Sequence, residues 1–324
     1  MGKKRILVTR NIPEEAKKIL NDFGDVAYWT REDEPIPREE LLKMSEGVDG
    51  LYTLLTDRVD EEVLSRSNNL KVVSNMAVGY DNIDVPACTE RGVMVTNTPG
   101  VLTETTADLT FALMMAVARR IVEASEHLKQ GKWKTWVPME LTGMDIHGAT
   151  LGILGMGRIG EAVAKRAKGF GMNIIYNNRS RKPQVEEMLG VSYVEFEQLL
   201  KQSDYVVILT PLTPETKDLI DERELSLMKE TAILINVARG SIVNEEALYW
   251  ALKEKKIWGA GLDVFAKEPV DTKHPLLTLD NFLGLPHIGS ASIETRTKMA
   301  VIAAQNLVKA LKGESPPNLI NNPS

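Results

Sequence analysis

Short apolar segments alternate with amphipathic helical patterns along almost the whole chain, and the alternation occurs in two successive series. The first series starts with residues 6–8, includes a strand candidate at residues 50–55 and ends with residues 93–96. The second starts at residues 151–154 and contains six strand candidates, among them residues 205–209 and, last, residues 282–285. Strands that alternate with helices form parallel sheets with helices on their faces. The sequence therefore predicts an α/β protein with two doubly wound parallel-sheet domains.

Two long helical patterns lie outside this alternation and bear on the domain boundaries. Residues 105–129 separate the two series, and residues 293–312 follow the last strand candidate. The length of 324 residues corresponds to about two domains of roughly 150 residues each. If the last helix packs on the first series, the first domain is discontinuous. We therefore expect one domain of residues 1–100 and 291–324, with a second domain of residues 101–290 inserted into it.

A glycine-rich turn opens the second series. Gly155, Gly157 and Gly160 form a G-x-G-x-x-G pattern between an apolar strand and a helix. The first glycine permits a tight turn, the second lets a pyrophosphate approach the backbone, and the third lets helix and strand pack closely. The N–H groups at the start of the helix attract phosphate. We therefore predict a Rossmann-like dinucleotide-binding domain whose phosphate-binding turn includes Arg158 and Ile159.

The end of the second strand in this series bears on the choice between NAD and NADP. An NAD enzyme carries an acidic residue there, which binds the adenosine ribose. This chain has Asn178, followed by Arg179, Ser180 and Arg181. A carboxylate would repel a 2′-phosphate, whereas arginine and serine bind one through charge-assisted hydrogen bonds. We expect NADP as the preferred cofactor, with NAD as an alternative.

Composition excludes several classes of partner. The net charge is -6 and the isoelectric point is near 5.5, which argues against nucleic acid because its binding requires a basic surface. The longest strongly apolar stretch, residues 111–118, is far shorter than a membrane span. Cys88 is the single cysteine, and the first ten residues are typical of a strand rather than a signal peptide. We expect a cytoplasmic protein that binds neither nucleic acid nor membrane.

Three charged side chains follow strand candidates of the second series, namely Arg239, Glu268 and His287. In open α/β sheets, ligand-binding groups lie at the carboxyl ends of the strands. Reduction of a keto acid by a dinucleotide needs a cation for the carboxylate, a proton donor for the carbonyl oxygen, and a partner that keeps this donor protonated. Arginine offers a planar fork to a carboxylate, histidine is a common proton donor, and glutamate can hold the histidine. We predict that these three residues are catalytic and that the chemistry needs no metal ion.

Six segments carry a resemblance to a known family: NMAVGYDNID from Asn75, NTPGVLTETTADL from Asn97, GILGMGRIG, ILINVARG, GAGLDVF and LPHIGSAS. Over nearly the whole chain, the sequence resembles the D-isomer-specific 2-hydroxyacid dehydrogenases. Within this family it is most similar to the glyoxylate/hydroxypyruvate reductases. The resemblance implies hydride transfer from NAD(P)H to a small 2-keto acid, with glyoxylate and hydroxypyruvate as substrates. It also implies that the inserted domain binds the dinucleotide and that the discontinuous domain binds substrate.

The resemblance implies roles for further residues. The backbone N–H groups of Ala77, Val78 and Gly79 would bind the substrate carboxylate, and Leu54 would line the substrate pocket. Trp136 lies in the region where related reductases carry an arm that reaches the partner subunit's site; it would otherwise anchor a dimer interface. The resemblance places seven more residues at the cofactor: Thr106, Pro211, Val237, Ala238, Asp263, Gly289 and Ser290.

A homodimer held mainly by the cofactor domains is the expected oligomer. The long apolar helix after Thr105 and the arm with Trp133 and Trp136 indicate exposed apolar surface, which marks interfaces. Paired subunits with twofold symmetry are the commonest oligomers.

Two alternatives to this function stay open at the level of sequence. One is a different substrate within the family, such as 3-phosphoglycerate, a lactate-type acid or phosphite. The other is a corepressor-like protein that uses the same fold to bind partners in a cofactor-dependent way. Turnover of a keto acid would distinguish an enzyme from a binding protein.

Overall fold

A computed structural model describes residues 3–31 and 34–323 of the chain. Their Cα positions form two compact units. Unit 1 comprises the chain up to Leu102 and again from Ala291 onward, and unit 2 comprises Thr103–Ser290. Each unit is built on a parallel sheet with helices on its faces. The predicted α/β fold class is confirmed.

The described residues of unit 1 form five short strands and five helices. Its strands are β1 (Arg5–Val8), β2 (Asp25–Tyr28), β3 (Gly50–Thr53), β4 (Val72–Asn75) and β5 (Met94–Thr96). Its helices are α1 (Glu14–Phe23), α2 (Arg38–Met44), α3 (Glu61–Arg66), α4 (Val85–Glu90) and the C-terminal helix Ile293–Leu311. The strands pair in parallel in the order β2-β1-β3-β4-β5. The chain changes direction between β1 and β3, and open α/β sheets bind ligands at the carboxyl ends beside such a point.

The C-terminal helix shares the core of unit 1 with the strands of its sheet. Leu307 is fully buried in the same apolar cluster as Ile6. Polar contacts fix the helix on the sheet, because the Tyr52 hydroxyl donates to the carbonyl of Ala300 at 3.1 Å and the Ser74 hydroxyl donates to that of Ala303 at 2.7 Å.

Unit 2 contains a larger sheet. Its strands are β6 (Thr150–Leu154), β7 (Asn173–Asn177), β8 (Ser192–Tyr193), β9 (Tyr205–Ile208), β10 (Ile233–Asn236), β11 (Gly259–Leu262) and β12 (Phe282–Gly284). Its helices are α5 (Thr103–Ala118), α6 (Ile121–Lys129), α7 (Arg158–Gly169), α8 (Pro183–Leu189), α9 (Phe196–Gln202), α10 (Glu222–Leu227) and α11 (Glu245–Lys253). The strands are parallel, in the order β12-β11-β10-β9-β6-β7-β8. The order reverses between β6 and β9, where a nucleotide site is expected.

Two details of unit 2 differ from the sequence prediction. The pattern at residues 105–129 forms two helices rather than one, because Arg120 adopts a left-handed backbone conformation with φ 52°. The carbonyl of Ala118, at the end of α5, accepts the N–H of Met144 and so does not continue the helix. The short edge strand β8 adds a seventh strand to the six predicted; two residues are too few to leave an apolar pattern.

No helix within the described residues is both long enough and apolar enough to span a membrane.

Candidate active site

The glycine turn lies between β6 and α7, beside the end of β9. Gly155 has φ 103°, and a Cβ atom there would lie 2.6 Å from the backbone nitrogen of Thr210. A Cβ on Gly160 would lie 2.4 Å from the carbonyl oxygen of Gly155. Both positions therefore require glycine for close backbone packing. Gly157 is different, because a Cβ built on it would meet no protein atom within 4 Å.

The open space beside Gly157 fits a pyrophosphate. Gly157 is the N-cap residue of α7, and the first N–H groups of a helix have no partner within it. Arg158 and Ile159 occupy the first turn. The partial positive charge of this helix end favours an anion. The turn thus combines room, N–H donors and a favourable field for a dinucleotide phosphate.

Asn178 connects the end of β7 to the glycine turn. Its side-chain oxygen accepts the N–H of Met156 at 3.3 Å, and its amide nitrogen donates to the carbonyl of Ser180 at 3.2 Å. An amide can make both contacts, whereas a carboxylate could make only the first. Asn178 therefore shapes the loop in addition to replacing an acidic residue.

The two arginines of this loop differ in their surroundings. Arg181 forms an ion pair with Glu186, with 2.7 Å between Nη2 and Oε2. Arg179 and Ser180 are exposed, and the Arg179 side chain makes no hydrogen bond or ion pair within the described part of the chain. The guanidinium donors available to a ligand are therefore those of Arg179, whose charge also helps to lower the pKa of Glu215, after the larger effects of hydrogen bonds from Thr213 and from the backbone of Glu215.

The other residues expected at the cofactor lie mostly at one edge of the sheet. Because carboxyl ends of parallel strands meet at one edge, the residues that follow β9, β10, β11 and β12 lie at the same edge of the sheet as the glycine turn. They are Pro211, Val237, Ala238, Asp263, Gly289 and Ser290. Thr106 comes from α5 instead; a Cβ on Gly289 would lie 3.6 Å from its methyl carbon.

Arg239 lies in the turn after β10. The fully buried Asn236 at the end of that strand fixes the turn, since its amide nitrogen donates to the carbonyl of Arg239 at 2.8 Å and its oxygen accepts the N–H of Ala238 at 3.0 Å. The guanidinium of Arg239 donates to the carbonyl of Ala238 at 2.8 Å. The backbone of Arg239 is thus held by the strand while its side chain is only partly buried.

His287 and Glu268 form a direct pair, with 2.7 Å between Nδ1 and Oε2. The other carboxylate oxygen of Glu268 accepts the N–H of Phe265 at 3.0 Å. Burial would raise the pKa of Glu268, but the hydrogen bond and charge of His287, with smaller effects of the Phe265 N–H and Arg239, lower this pKa below its ordinary value. Glu268 is therefore ionised at neutral pH and orients the imidazole.

Asp263 holds the turn that presents His287. Its carboxylate accepts the N–H groups of Ile288 and Gly289 at 2.8 and 2.7 Å, and its carbonyl accepts that of His287 at 2.9 Å. His287 has φ 53°, a left-handed conformation that costs free energy in a residue with a side chain. Asp263 is only 1% exposed, and burial raises its pKa despite these donors.

The loop Ala77–Gly79 lies in unit 1, after β4. All three of its carbonyls accept hydrogen bonds: from the N–H of Thr98 at 2.9 Å, and from the side-chain amides of Asn97 at 2.8 Å and Asn75 at 3.0 Å. Its three N–H groups donate to no acceptor among the described residues. The loop therefore presents a row of backbone donors.

Leu54 follows β3 in the same unit. Its N–H donates to the buried carboxylate of Asp57 at 2.7 Å, and its carbonyl accepts the amide of Asn82 at 3.1 Å. The strand prediction at residues 50–55 is thus too long, because this turn takes the backbone out of the sheet after Thr53.

Trp136 lies in the segment after α6 and is 76% exposed. Trp133 and Met139 are also mostly exposed, as are Ile121 and Leu128 of α6. Together these side chains form an apolar surface on unit 2, which we call the α6 arm. Among the described residues, Trp136 makes no hydrogen bond to His287 or Glu268.

Several residues that shape the site were not singled out in the sequence. Asn236 and Asn75 each occupy the last position of a buried strand, which is a signal that could have found them, since a buried amide needs hydrogen-bond partners. Two other side chains leave no such signal because their partners are distant in sequence. Asp263 accepts N–H groups of the His287 turn, and Glu245 accepts the N–H of Ala266 in the loop that leads to Glu268.

The chain is similar to proteins of one known family in both sequence and fold. Residues 111–289 match the family described as D-isomer specific 2-hydroxyacid dehydrogenase, NAD binding domain. The chain is 52% identical over 323 residues to a glyoxylate reductase of Thermococcus litoralis, covering 98% of this chain and 97% of that protein.

Two solved structures are also similar. A protein from Thermus thermophilus has a TM-score of 0.92 and 48% identity, with coverage of 98% of this chain and 100% of that one. An NADPH-dependent glyoxylate/hydroxypyruvate reductase from Sinorhizobium meliloti has a TM-score of 0.85 and 31% identity, with 98% of each chain covered.

Proposed function

Because the chain belongs to the D-isomer specific 2-hydroxyacid dehydrogenases, we propose that it reduces glyoxylate to glycolate and hydroxypyruvate to D-glycerate with NAD(P)H. The observation that carries this proposal is the His287–Glu268 pair, which lies with Arg239 at the carboxyl edge of a sheet that also bears the glycine turn. Glyoxylate reductases that are about half identical to this chain support the substrate.

The three side chains have distinct roles in this reaction. A bound nicotinamide cofactor supplies the hydride. Arg239 binds the substrate carboxylate and polarises the neighbouring carbonyl through its guanidinium. His287 donates the proton on Nε2 to the carbonyl oxygen, because its Nδ1 is held by Glu268. Glu268 stabilises the protonated imidazole and keeps the ring in one orientation.

The loop Ala77–Gly79 and Leu54 are proposed to bind substrate. The support for the loop comes from unit 1 itself. Its carbonyls accept hydrogen bonds, whereas its N–H groups donate to no acceptor among the described residues and are available to a ligand. A row of backbone N–H groups favours an anion such as a carboxylate. A substrate of two or three carbon atoms is small enough to be recognised by this loop and a few side chains.

The test is a panel of keto acids with NADPH and NADH, followed by the absorbance of the reduced cofactor. Glyoxylate and hydroxypyruvate should give the highest kcat/KM, and the product of hydroxypyruvate should be the D-isomer. Preference for pyruvate, for phosphite oxidation or for 3-phosphoglycerate oxidation would contradict the proposed substrate. Absence of turnover with every acid would favour a cofactor-dependent binding protein.

NADPH is the proposed preferred cofactor, and Arg179 carries this proposal. Its side chain is exposed just after β7, where the ribose-binding residue of a dinucleotide site is expected, and Ser180 follows it in the chain. A hydrogen bond to a charged group contributes about 1.5–3 kcal/mol, so one such bond corresponds to roughly tenfold to 150-fold preference. The reductase from Sinorhizobium meliloti is described as NADPH-dependent.

The variant Arg179→Ala tests this preference, with Arg181→Ala as its matched control. Arg179→Ala should weaken NADPH binding and leave NADH binding unchanged, whereas Arg181→Ala should have a smaller effect because Glu186 already pairs with Arg181. Asn178→Asp should shift the balance towards NADH. Equal or better kcat/KM with NADH in the unaltered enzyme would contradict the proposal.

A homodimer is proposed from the exposed side chains of the α6 arm. Exposed apolar side chains of this kind are typical of an interface. Light scattering at micromolar concentration should give twice the chain mass of 36.0 kDa, and a monomer mass would contradict it. If Trp136 reaches the partner subunit's substrate, Trp136→Ala should raise KM without changing the mass.

A further inference from the structure

Glu245 is the first residue of α11, but the helix does not use its carboxylate as a cap. The side-chain oxygen of Asn244 already accepts the N–H groups of Glu246 and Ala247 at 3.1 and 3.2 Å. The Glu245 side chain is only 16% exposed. Its Oε1 accepts the N–H of Ala266 at 2.7 Å. The carboxylate therefore leaves its own helix and holds the backbone after β11.

The backbone at Phe265 and Ala266 connects the loops that carry the catalytic side chains. The N–H of Phe265 donates to Glu268, which pairs with His287. Gly240 follows Arg239, and a Cβ on it would lie 1.9 Å from the carbonyl carbon of Phe265. The loop of Arg239 and the loop of Glu268 are thus in direct backbone contact at one peptide.

Two histidine–glutamate pairs hold adjacent peptide groups of this backbone, through the N–H of Phe265 and the N–H of Ala266. In the first, Glu268 accepts the N–H of Phe265 with one oxygen and contacts His287 with the other. In the second, Glu245 accepts the N–H of Ala266 with one oxygen, and its Oε2 lies 3.3 Å from Nε2 of His274.

The ring of His274 also packs edge-on against the ring of Phe265, with 6.0 Å between their centroids. His274 thus contacts both the carboxylate that anchors the peptide and a side chain of the peptide itself. The Glu245–His274 pair therefore stabilises the Glu268–His287 pair, because it fixes the backbone at Ala266, next to the Phe265 N–H that Glu268 accepts.

We propose that Glu245, oriented by His274, is a positioning residue for the Glu268–His287 pair. The proposal rests on the proposed function, since it gives these two residues their catalytic roles. Glu245 touches neither substrate nor the reacting atoms. It acts through the N–H of Ala266, and a shift of the Glu268 loop would move the imidazole from its place. Displacement of a catalytic group by about 1 Å can cost on the order of 100-fold in rate.

The experiment compares three variants of the full-length enzyme: Glu245→Ala, Glu245→Gln and Glu246→Ala. Glu245→Ala should lower kcat with glyoxylate by roughly tenfold to 100-fold, because a displaced loop acts on the chemical step. The affinity for NADPH should stay unchanged, since among the described residues Glu245 makes no hydrogen bond or ion pair with the glycine turn. Glu245→Gln should restore most of kcat because an amide oxygen also accepts the N–H of Ala266.

Glu246→Ala is the matched control. Glu246 is the neighbouring acid in the same first turn of α11, is exposed, and its side chain makes no hydrogen bond or ion pair among the described residues. It should behave as the unaltered enzyme. If Glu246→Ala lowers kcat as much as Glu245→Ala, a general effect on α11 explains the loss and the proposal is wrong. An unchanged kcat in Glu245→Ala would overturn it as well.

Hydrogen exchange of the segment around Ala266 tests the anchor without substrate. Glu245→Ala should speed exchange of this segment, and Glu245→Gln should not. Unchanged protection in Glu245→Ala would overturn the positioning role. A failure of the unaltered enzyme to reduce any keto acid would refute the proposed function instead, and the exchange comparison would still decide whether Glu245 holds the loop.

Discussion

Replacing Gly157 by alanine should separate cofactor binding from folding. Gly157 has φ -85° and ψ -164°, a conformation open to any residue. No protein atom lies within 4 Å of a Cβ built there. Folding should therefore tolerate the methyl group, with a change in unfolding free energy below about 1 kcal/mol from backbone entropy and N-cap preference. The methyl group would instead occupy the space in which we place the pyrophosphate.

The expected loss in cofactor affinity follows from the contacts that the methyl group would displace. One or two hydrogen bonds from helix N–H groups to a charged phosphate contribute about 1.5–3 kcal/mol each. Their loss would raise the Kd of NADPH and NADH alike by roughly tenfold or more. Fluorescence titration measures the two Kd values, and a thermal melt measures stability.

Gly160→Ala is the matched comparison, because the same methyl group meets a different environment. Its Cβ would lie 2.4 Å from the carbonyl oxygen of Gly155, so the helix has to move away from the strand. Overpacking of this kind costs about 1–3 kcal/mol, which should lower Tm measurably. An unchanged cofactor Kd in Gly157→Ala, with an unchanged Tm, would refute the assignment of this space to the pyrophosphate.

Three further outcomes test the catalytic side chains. His287→Ala should lower kcat by roughly 10²–10⁴-fold with little change in cofactor affinity, since general acid catalysis has this magnitude; a loss of less than about threefold would contradict the role. Arg239→Lys should lose kcat/KM while thermal melting stays the same, because lysine lacks the planar fork; normal turnover would show that Arg239 does not bind the carboxylate. The lowered pKa of Glu268 predicts a stabilisation that is present above its ordinary pKa of 4.5 and is lost as pH falls through the lower value of the folded protein. Urea unfolding should therefore give the unaltered enzyme a larger unfolding free energy than Glu268→Gln at neutral pH, and this difference should shrink in acid. A difference that is constant with pH would exclude this linkage.

The sequence by itself determined the fold class and the family. Buried parallel strands require continuous apolar runs, so residues 151–154 and 205–209 were recognisable without a structure. The glycine turn was equally clear because backbone crowding at Gly155 and Gly160 admits no other residue. Arg239, Glu268 and His287 were predicted to be catalytic because charged residues shortly after apolar strands are unusual and lie at one edge of the sheet.

Local patterns failed where a distant contact decides the backbone. The helix at residues 105–129 breaks because Met144 takes the carbonyl of Ala118, and the strand after Gly50 ends early because Asp57 takes the N–H of Leu54. Neither partner lies within the apolar pattern that predicts the element.

Only the tertiary structure decided how the catalytic residues are held. The contacts from Glu245 to Ala266 and from Asp263 to Gly289 join positions 21 and 26 residues apart. They arise because adjacent strands bring successive loops to one edge of the sheet. The identity of a residue in such a loop is set by its neighbours in space, and a sequence pattern records only its neighbours in the chain.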